Sequence, residues 1–235
     1  MGLVDIHCHL LYGVDDGAKN IDESIAMLDV AARQDITDII VTPHLRRGMF
    51  SYPPEAIKAA FTALWPEAKK RGIHLYLGCE YHVNEEMSEK LQKKRIVSLG
   101  NSEYILTEFK HNADKYYIAD NVNQLLSCGY IPVIAHVERI EYLHEHIPFI
   151  EEIRRYGAMI QVNADAILGY DGRTAQKFTQ KLLDKNLVDI VASDSHGVTK
   201  RKNNLGEAYQ KVVKKYGKET ADRAFSINPR KIIAR

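Results

Sequence analysis

Side chains that commonly bind metal ions follow most of the short apolar runs in this 235-residue chain. Five of its ten histidines come directly after such runs. They are His7, His9, His44, His136 and His196. Three carboxylates have the same placement, and they are Glu80, Glu108 and Asp194. A ligand set of imidazoles and carboxylates, without a usable thiolate pattern, favours Zn, Mn or Fe over Mg or Ca. The large number of ligands indicates more than one ion.

The clearest of these patterns is His7-Cys8-His9, directly after an apolar run. In extended backbone, residues i and i+2 point to the same side, so both imidazoles can reach one ion. A second pair, His144 and His146, lies far from any predicted strand end, and we expect it to be a solvated surface pair. Burying unpaired carboxylates is costly, so a metal cluster explains the repeated pattern better than packing does.

Two nucleophile mechanisms are not expected. Cys8 lies between two ligands and should point away from them, so we interpret it and Cys79 as packing residues. None of the three cysteines has an arginine six positions later, which excludes a cysteine-phosphatase loop. Ser195 likewise should point away from Asp194 and His196, so a Ser-His-Asp triad is not predicted.

Three further residues have two interpretations each. In Asp15-Asp16-Gly17, the Asp-Gly pair is a strong turn signal, but Asp16 is also a candidate carboxylate ligand from the first loop. Arg139 and Arg201 lie just beyond two of the histidines. Arginine is the preferred partner of a phosphate group, although most surface arginines serve no site.

Seven short runs rich in Val and Ile predict the strands that position these residues. They are residues 3–6, 38–42, 74–78, 104–107, 131–135, 159–162 and 189–193. Between them, helical periodicity predicts a helix after the cap Asn20 and further helices over 56–71 and 175–185. Gly72, Gly129 and Gly157 stand at predicted helix ends. Strand–helix alternation predicts parallel strands, in an open sheet or a barrel. In a barrel all the carboxyl ends lie on one face, where active sites sit.

Composition limits the function further. Lys+Arg number 32 and Asp+Glu 31, so the net charge of +1 argues against a whole-chain electrostatic nucleic-acid binder. No apolar stretch reaches the roughly 18 residues of a membrane span, and the first residues do not resemble a signal peptide. Three cysteines cannot all pair, which favours a reducing cytoplasm. We expect a single domain over 1–235, since barrels commonly reach about 200–250 residues.

Taken together, these motifs resemble the PHP (polymerase and histidinol phosphatase) family, and most closely its Gram-positive CpsB/YwqE-type tyrosine-phosphatase branch. The motifs are Asp5-Ile6-His7-Cys8-His9, Val14-Asp15-Asp16-Gly17, Thr42-Pro43-His44, Gly78-Cys79-Glu80, Thr107-Glu108, Ala135-His136-Val137-Glu138-Arg139 and Ser193-Asp194-Ser195-His196. The resemblance implies a distorted (β/α)7 barrel with three metal ions at the carboxyl ends of the strands.

The resemblance also implies ligand sets. One ion would be held by His7, His9, Glu80 and Asp194, a second by Glu80, Glu108 and His136, and a third by Asp16, His44 and His196. Many PHP proteins have histidine where this chain has Asp16 and Glu108. The more anionic site favours Mn²⁺, with Zn²⁺ or Fe still open.

The activity implied is metal-dependent hydrolysis of phosphotyrosine, with Arg139 and Arg201 holding the phosphate and Asp16 or His44 assisting the leaving group. The partner implied is the tyrosine-rich tail of a bacterial tyrosine kinase that controls capsule or exopolysaccharide synthesis. Alternatives are a small-molecule phosphatase such as histidinol phosphatase, or a non-catalytic metal-binding regulator of a kinase. A nuclease is disfavoured by the charge balance.

Overall fold

The computed structural model describes residues 2–93 and 97–233. The predicted domain 1–235 therefore includes Met1, residues 94–96 and residues 234–235, which lie outside the described part. Over the described residues the fold is a mixed α/β fold of ten strands and ten α-helices. No helix in these ranges is long and apolar enough to cross a membrane.

All seven predicted strands are present, and three short ones were not predicted. The strands are β1 Leu3–Cys8, β2 Ile36–Val41, β3 His44–Arg46, β4 Phe50–Ser51, β5 His74–Leu77, β6 Glu80–His82, β7 Tyr104–Glu108, β8 Ile131–Ile134, β9 Met159–Asn163 and β10 Ile190–Ala192. The additional strands β3, β4 and β6 are two or three residues long, too short for hydrophobic periodicity to indicate.

Hydrogen bonding gives two sheets, in the orders β1-β2-β5 and β10-β9-β8-β7-β6-β3-β4. The pairs are parallel except for the hairpin β3–β4. The predicted parallel α/β architecture is thus confirmed, but the described residues do not form one closed barrel of paired strands. Chain continuity joins the sheets, because only Thr42-Pro43 separates β2 from β3 and only Gly78-Cys79 separates β5 from β6.

Helices connect successive parallel strands, as such crossovers require. They are α1 Ile21–Ala32, α2 Pro54–Lys70, α3 Met87–Gln92, α4 Lys115–Ser127, α5 Ile147–Tyr156, α6 Ala164–Leu168, α7 Arg173–Asp184, α8 Leu205–Tyr216, α9 Lys218–Asp222 and α10 Asn228–Ile233. The predicted cap is confirmed, since Asn20 Oδ1 accepts the Glu23 amide at 2.9 Å. Gly72, Gly129 and Gly157 have φ of +71°, +82° and +118°, which are the left-handed helix ends predicted.

Two apolar clusters hold the layers together. The larger lies between strands and helices. The smaller lies on the other strand face, where Val4, Ile6, Leu106 and Val133 meet Ile232 of α10. Strands buried on both faces explain why the sequence shows continuous apolar runs rather than alternation.

Candidate metal centre

The structure brings all nine predicted ligands together at the carboxyl ends of the strands. They form four overlapping groups, and within each group the ligand atoms lie within 4.8 Å of one another. The groups are His9, Asp16, His44 and His196; His7, His9 and Asp194; His7, Glu80 and His136; and His44, Glu80 and Glu108. Seven of these residues are buried, whereas the side chain of Glu108 is 12% exposed and that of Asp16 is half exposed.

A β-bulge in β1 aims the first two histidines at this centre. Asp5 pairs with Ile39 and Cys8 with Val41, so three steps in β1 oppose two in β2. An extra residue of this kind reverses the side-chain alternation, and bulges of this kind are common beside active sites. His7 and His9 consequently face the same interior as Val4 and Ile6, whereas Asp5 faces Ser193 and Asn203 on the other side.

Glu80 lies at the middle of the cluster. Its Oε1 is 2.9 Å from His136 Nε2 and 3.3 Å from His7 Nε2. Its Oε2 is 2.7 Å from His44 Nδ1 and 3.4 Å from His9 Nε2. Although burial opposes it, the charge of His7, the hydrogen bond from His136 and the close approach of His44 hold the pKa of Glu80 well below its usual range.

Several of these ligand atoms are buried without a hydrogen bond. They are His44 Nδ1, Glu80 Oε2, Glu108 Oε2, His136 Nδ1 and His196 Nε2. His44 Nδ1 and Glu80 Oε2 are close but poorly aligned, and His7 Nε2 faces His9 Nε2 at 3.2 Å. Buried polar atoms are rarely left unpaired, because each costs about 1–3 kcal/mol. Atoms that converge on shared spaces without bonding one another fit a set of bound cations, which would satisfy them all.

The remaining carboxylates match that interpretation. Burial, together with the charge of Glu80, raises the pKa of Glu108 to about 7. Asp16 Oδ1 lies 3.4 Å from His196 Nε2 and 3.3 Å from His44 Nε2, and the proximity of these two rings lowers its pKa. The geometry brings the nine residues together, and their metal-binding role stays a prediction.

Asp15, for which the sequence favoured a turn, orients a ligand. Its Oδ2 accepts a hydrogen bond from His9 Nδ1 at 2.8 Å and from the His44 amide at 3.1 Å, and its Oδ1 accepts the Gly17 amide. Gly17 permits this turn, because a Cβ there would lie 2.2 Å from the His9 carbonyl oxygen. A carboxylate on the second ring nitrogen fixes which nitrogen of His9 faces the centre.

Strand β9 provides two positioning amides that sequence reasoning missed. Gln161 Oε1 lies 3.2 Å from His7 Nδ1 and accepts the His136 amide at 3.0 Å. Asn163 Nδ2 donates to Asp194 Oδ2 at 2.9 Å, and Gln161 Nε2 donates to Asn163 Oδ1. Gln161 and Asn163 are poor metal ligands, but they hold three ligands in place.

Both predicted arginines contact the cluster through one carboxylate. Arg139 Nη1 and Arg201 Nη2 each lie 2.9 Å from Asp194 Oδ2, while Asp194 Oδ1 faces His7 Nε2 at 3.3 Å. The two oxygens of Asp194 therefore face opposite ways, one toward the histidines and one toward the arginines. Arg201 remains partly exposed, so its guanidinium can also reach a ligand from outside.

The residues that the sequence excluded from catalysis and metal binding lie outside the cluster of predicted ligands. Cys8 Sγ and Ser195 Oγ face each other at 3.2 Å, away from the ligands. His144 Nε2 donates to the Glu138 carbonyl, and the His146 ring stacks on Tyr142. On the opposite rim, the ring of Phe50 stacks on His44 with centroids 5.1 Å apart.

Known proteins resemble this chain in both sequence and structure. The chain is 35% identical to the tyrosine-protein phosphatase CpsB of Streptococcus pneumoniae over 238 residues, 98% of each chain. It is 35% identical to the tyrosine-protein phosphatase YwqE of Bacillus subtilis over 219 residues, 92% of this chain and 86% of YwqE. A solved structure from work on YwqE and CpsB, described as metal-dependent tyrosine phosphatases, superposes with a TM-score of 0.90 at 32% identity, covering 98% of this chain and 94% of that one.

The family assignment rests on nearly the whole chain. Residues 3–234 match the model of the family described as capsular polysaccharide synthesis, CpsB/CapC. This confirms the branch that the motifs resemble. The chain belongs to the CpsB/CapC family of capsular polysaccharide synthesis proteins.

Proposed function

We propose that this protein is a metal-dependent protein-tyrosine phosphatase. The observation that carries the proposal is the set of buried, unpartnered ligand atoms next to two arginines that share Asp194. The names of the related CpsB and YwqE proteins support phosphotyrosine as the substrate. Arginine beside a metal cluster suits a phosphate monoester, which carries two negative charges and several oxygens to be held.

Three ions would account for the ligands. We assign His7, His9, Glu80 and Asp194 to the first, Glu80, Glu108 and His136 to the second, and Asp16, His44 and His196 to the third. When bound, the ions supply positive charge to the phosphate oxygens and lower the pKa of water, which can then act as nucleophile. A donor set made only of imidazoles and carboxylates supports Mn²⁺, although it also suits Zn²⁺ or Fe.

The protein's own residues then bind and orient the substrate. Arg139 and Arg201 hold phosphate oxygens, and Asp194 keeps both guanidinium groups at the centre. Such preorganised charge stabilises the transition state because it needs no rearrangement during the reaction. Asp16 and His44 lie at the mouth, with Asp16 Oδ1 3.3 Å from His44 Nε2, where either would orient a water that passes a proton to the departing tyrosine oxygen.

We also propose that the two sheets are parts of one distorted seven-stranded barrel within a single domain. The continuity of β2 with β3 and of β5 with β6 supports this. The His9 amide donates to the Ser195 carbonyl and the Asp194 amide to the His7 carbonyl, so the first and last strands also meet.

The proposed partner is the tyrosine-rich tail of a bacterial tyrosine kinase that acts in capsule synthesis. The family description supports the pathway, and the flexible tail of a kinase would reach the centre readily. Free thiols at Cys8, Cys79 and Cys128 support a reducing cytoplasm as the compartment.

One assay tests the function. A phosphotyrosyl peptide, histidinol phosphate and p-nitrophenyl phosphate are compared on protein whose metal content is measured in the same sample. We expect preferential hydrolysis of the peptide, loss after exhaustive chelation, and recovery with Mn²⁺. Activity that survives chelation would refute the metal dependence, preference for histidinol phosphate would favour the small-molecule alternative, and metal without turnover would favour a regulator.

A further inference from the structure

The exposed face of α7 carries a row of four cationic side chains. Arg173, Lys177, Lys181 and Lys185, the residue that caps the helix, follow at intervals of four, and all are exposed. Residues four apart on a helix are surface neighbours, with Cβ atoms about 5–6 Å apart. At about 1.5 Å of rise per residue the row is about 18 Å long.

The row is not neutralised by the protein. Among the described residues, none of the four cations forms an ion pair. The only carboxylate within α7, Asp184, is engaged by α8, because it accepts the Tyr216 hydroxyl at 2.7 Å and lies 3.9 Å from Lys215 Nζ. Like charges at this spacing destabilise a helix. Since α7 is held by its buried apolar face, packing gives no reason for the row.

The row begins beside the catalytic centre. Helix α7 packs against the turn Val137–Arg139, which carries one of the two phosphate-binding arginines. Asp171, two residues before Arg173, has its pKa raised by burial and partly lowered again by the charges of Arg139 and Arg201.

Two arginines at the mouth, Arg46 and Arg47, are compensated by carboxylates. Arg47 Nη1 lies 3.5 Å from Glu85 Oε2 and its Nε 3.3 Å from Glu86 Oε1. Arg46 Nη1 lies 4.0 Å from Glu108 Oε1. These two arginines already have partners, whereas the row on α7 has none among the described residues.

We propose that this row, Arg173, Lys177, Lys181 and Lys185, docks an acidic, extended segment next to the phosphotyrosine of the substrate protein. The proposal rests on the proposed function. Side chains on one side of an extended chain recur at intervals of about 6.6 Å. This interval is close to the spacing of about 5–6 Å between the Cβ atoms of neighbouring cations in the row. The row therefore fits acidic residues at alternate positions over about six or seven residues. An anionic membrane fits less well, because a membrane-binding helix needs apolar side chains beside its cations, and those of α7 face the core.

The test compares two double variants of the full, metal-loaded chain. Lys177→Glu/Lys181→Glu reverses the middle of the row, and Lys58→Glu/Lys69→Glu reverses two exposed charges on α2 as a control. Substrates are phosphotyrosyl peptides with Glu at alternate positions on either side, the same peptides with Gln, and p-nitrophenyl phosphate. We expect the wild type to prefer a Glu peptide about ten-fold in kcat/KM, through KM, as a few exposed ion pairs would give. Only the α7 variant should lose that preference, and high salt should abolish it.

Each other result has a distinct meaning. Equal rates on Glu and Gln peptides overturn the docking proposal and leave the phosphatase function intact. Hydrolysis of neither peptide by the wild type overturns the function, and fluorescence anisotropy with an unphosphorylated Glu peptide then tests the row alone. If the α7 variant keeps its peptide preference but loses binding to phosphatidylglycerol vesicles, the row is a membrane surface and the docking proposal is wrong.

Discussion

At the amino ends of the strands a buried charge faces its counter-charge, whereas at the carboxyl ends buried charges face one another. Asp38 of β2 is 4% exposed, and its Oδ2 accepts a hydrogen bond from Arg230 Nη1 at 3.0 Å. The other arm of that guanidinium donates to the Gly2 carbonyl and to Thr37 Oγ1. In contrast, the carboxyl ends leave five predicted ligand atoms without a hydrogen bond. The pair at the amino ends leaves one buried atom, Arg230 Nε, without a hydrogen bond, whereas the unbonded atoms at the carboxyl ends converge on one centre that a ligand would complete.

Backbone conformation differs between the same two ends. Non-glycine residues with positive φ at the amino ends are Asp35, Asn101 and Asn186, residue types that tolerate this region in turns. At the carboxyl ends they include His136, Asp194 and Arg201, with φ of +31°, +51° and +47°. Such conformations cost about 1–3 kcal/mol each and persist where the surroundings enforce them. The carboxyl ends therefore give up stability to aim side chains.

Removing the central carboxylate should have the largest effect at the carboxyl ends. Glu80→Gln keeps the shape but loses the charge that four histidines face. Loss of a residue that hydrogen-bonds to a metal ligand can lower metal affinity by about 100-fold. We expect the loss of Glu80 itself to lower metal affinity by more than that, and turnover to fall with it. Metal content by mass spectrometry and phosphopeptide turnover measure both. Full metal occupancy in the variant would show that Glu80 is not a ligand.

Removing an arginine separates substrate binding from metal binding at the same end. Arg139→Ala should keep its metal but lose about 10²–10³-fold in kcat, the usual effect of deleting one preorganised donor to a developing charge. Arg139→Lys is the matched control, because it keeps the charge but not the two-pronged geometry, and it should recover only part of the rate. Simultaneous loss of metal from Arg139→Ala would mean that the residue acts through Asp194 rather than on the substrate.

The positioning amides give a smaller effect. Gln161→Leu removes the partner of His7 Nδ1 and of the His136 amide, so metal affinity should fall by about 10–100-fold. Calorimetric titration with Mn²⁺ measures the affinity, and circular dichroism of the metal-free protein checks folding. Thr179→Val, which removes a buried hydroxyl without a hydrogen bond, is a control that should leave affinity unchanged. An unchanged Gln161→Leu affinity would refute positioning by β9.

The sequence could group the nine predicted ligands because one rule places them together, namely that the carboxyl ends of parallel strands meet at one face. Sequence reasoning missed Gln161 because its partner His7 is 154 positions away, and a buried amide in a strand has no local signature. It also missed the bulge in β1, since alternation alone would place His7 on the side of Asp5. The sites where local rules failed are those where tertiary contacts decide orientation.

At the amino ends, the expected effect is on stability alone. Arg230→Ala leaves Asp38 buried without its main partner, and Arg230 is about a quarter exposed. We expect the free energy of unfolding to fall by about 1–3 kcal/mol, the usual range for a hydrogen bond to a charged group. Urea denaturation measures it, with Arg230→Lys as the partial control. Metal affinity and kcat should equal those of the wild type at 25 °C, and a change in either would contradict the division between the two ends.

The smallest expected effect is the coupling between the ends. His74, which pairs with Asp38, and Glu80 are six residues apart along one bent strand, about 20 Å at the usual rise. Substitutions this far apart without shared partners add to within about 0.3–0.5 kcal/mol. In the metal-free double variant Glu80→Gln/Arg230→Ala, the decrease in the free energy of unfolding should therefore equal the sum of the decreases in the two single variants. Urea denaturation of the wild type, the two single variants and the double variant measures the coupling as a double-mutant cycle. A coupling above about 1 kcal/mol would mean that the pair at the amino ends helps to hold the unpaired charges of the metal centre, and that the two ends are one cooperative network.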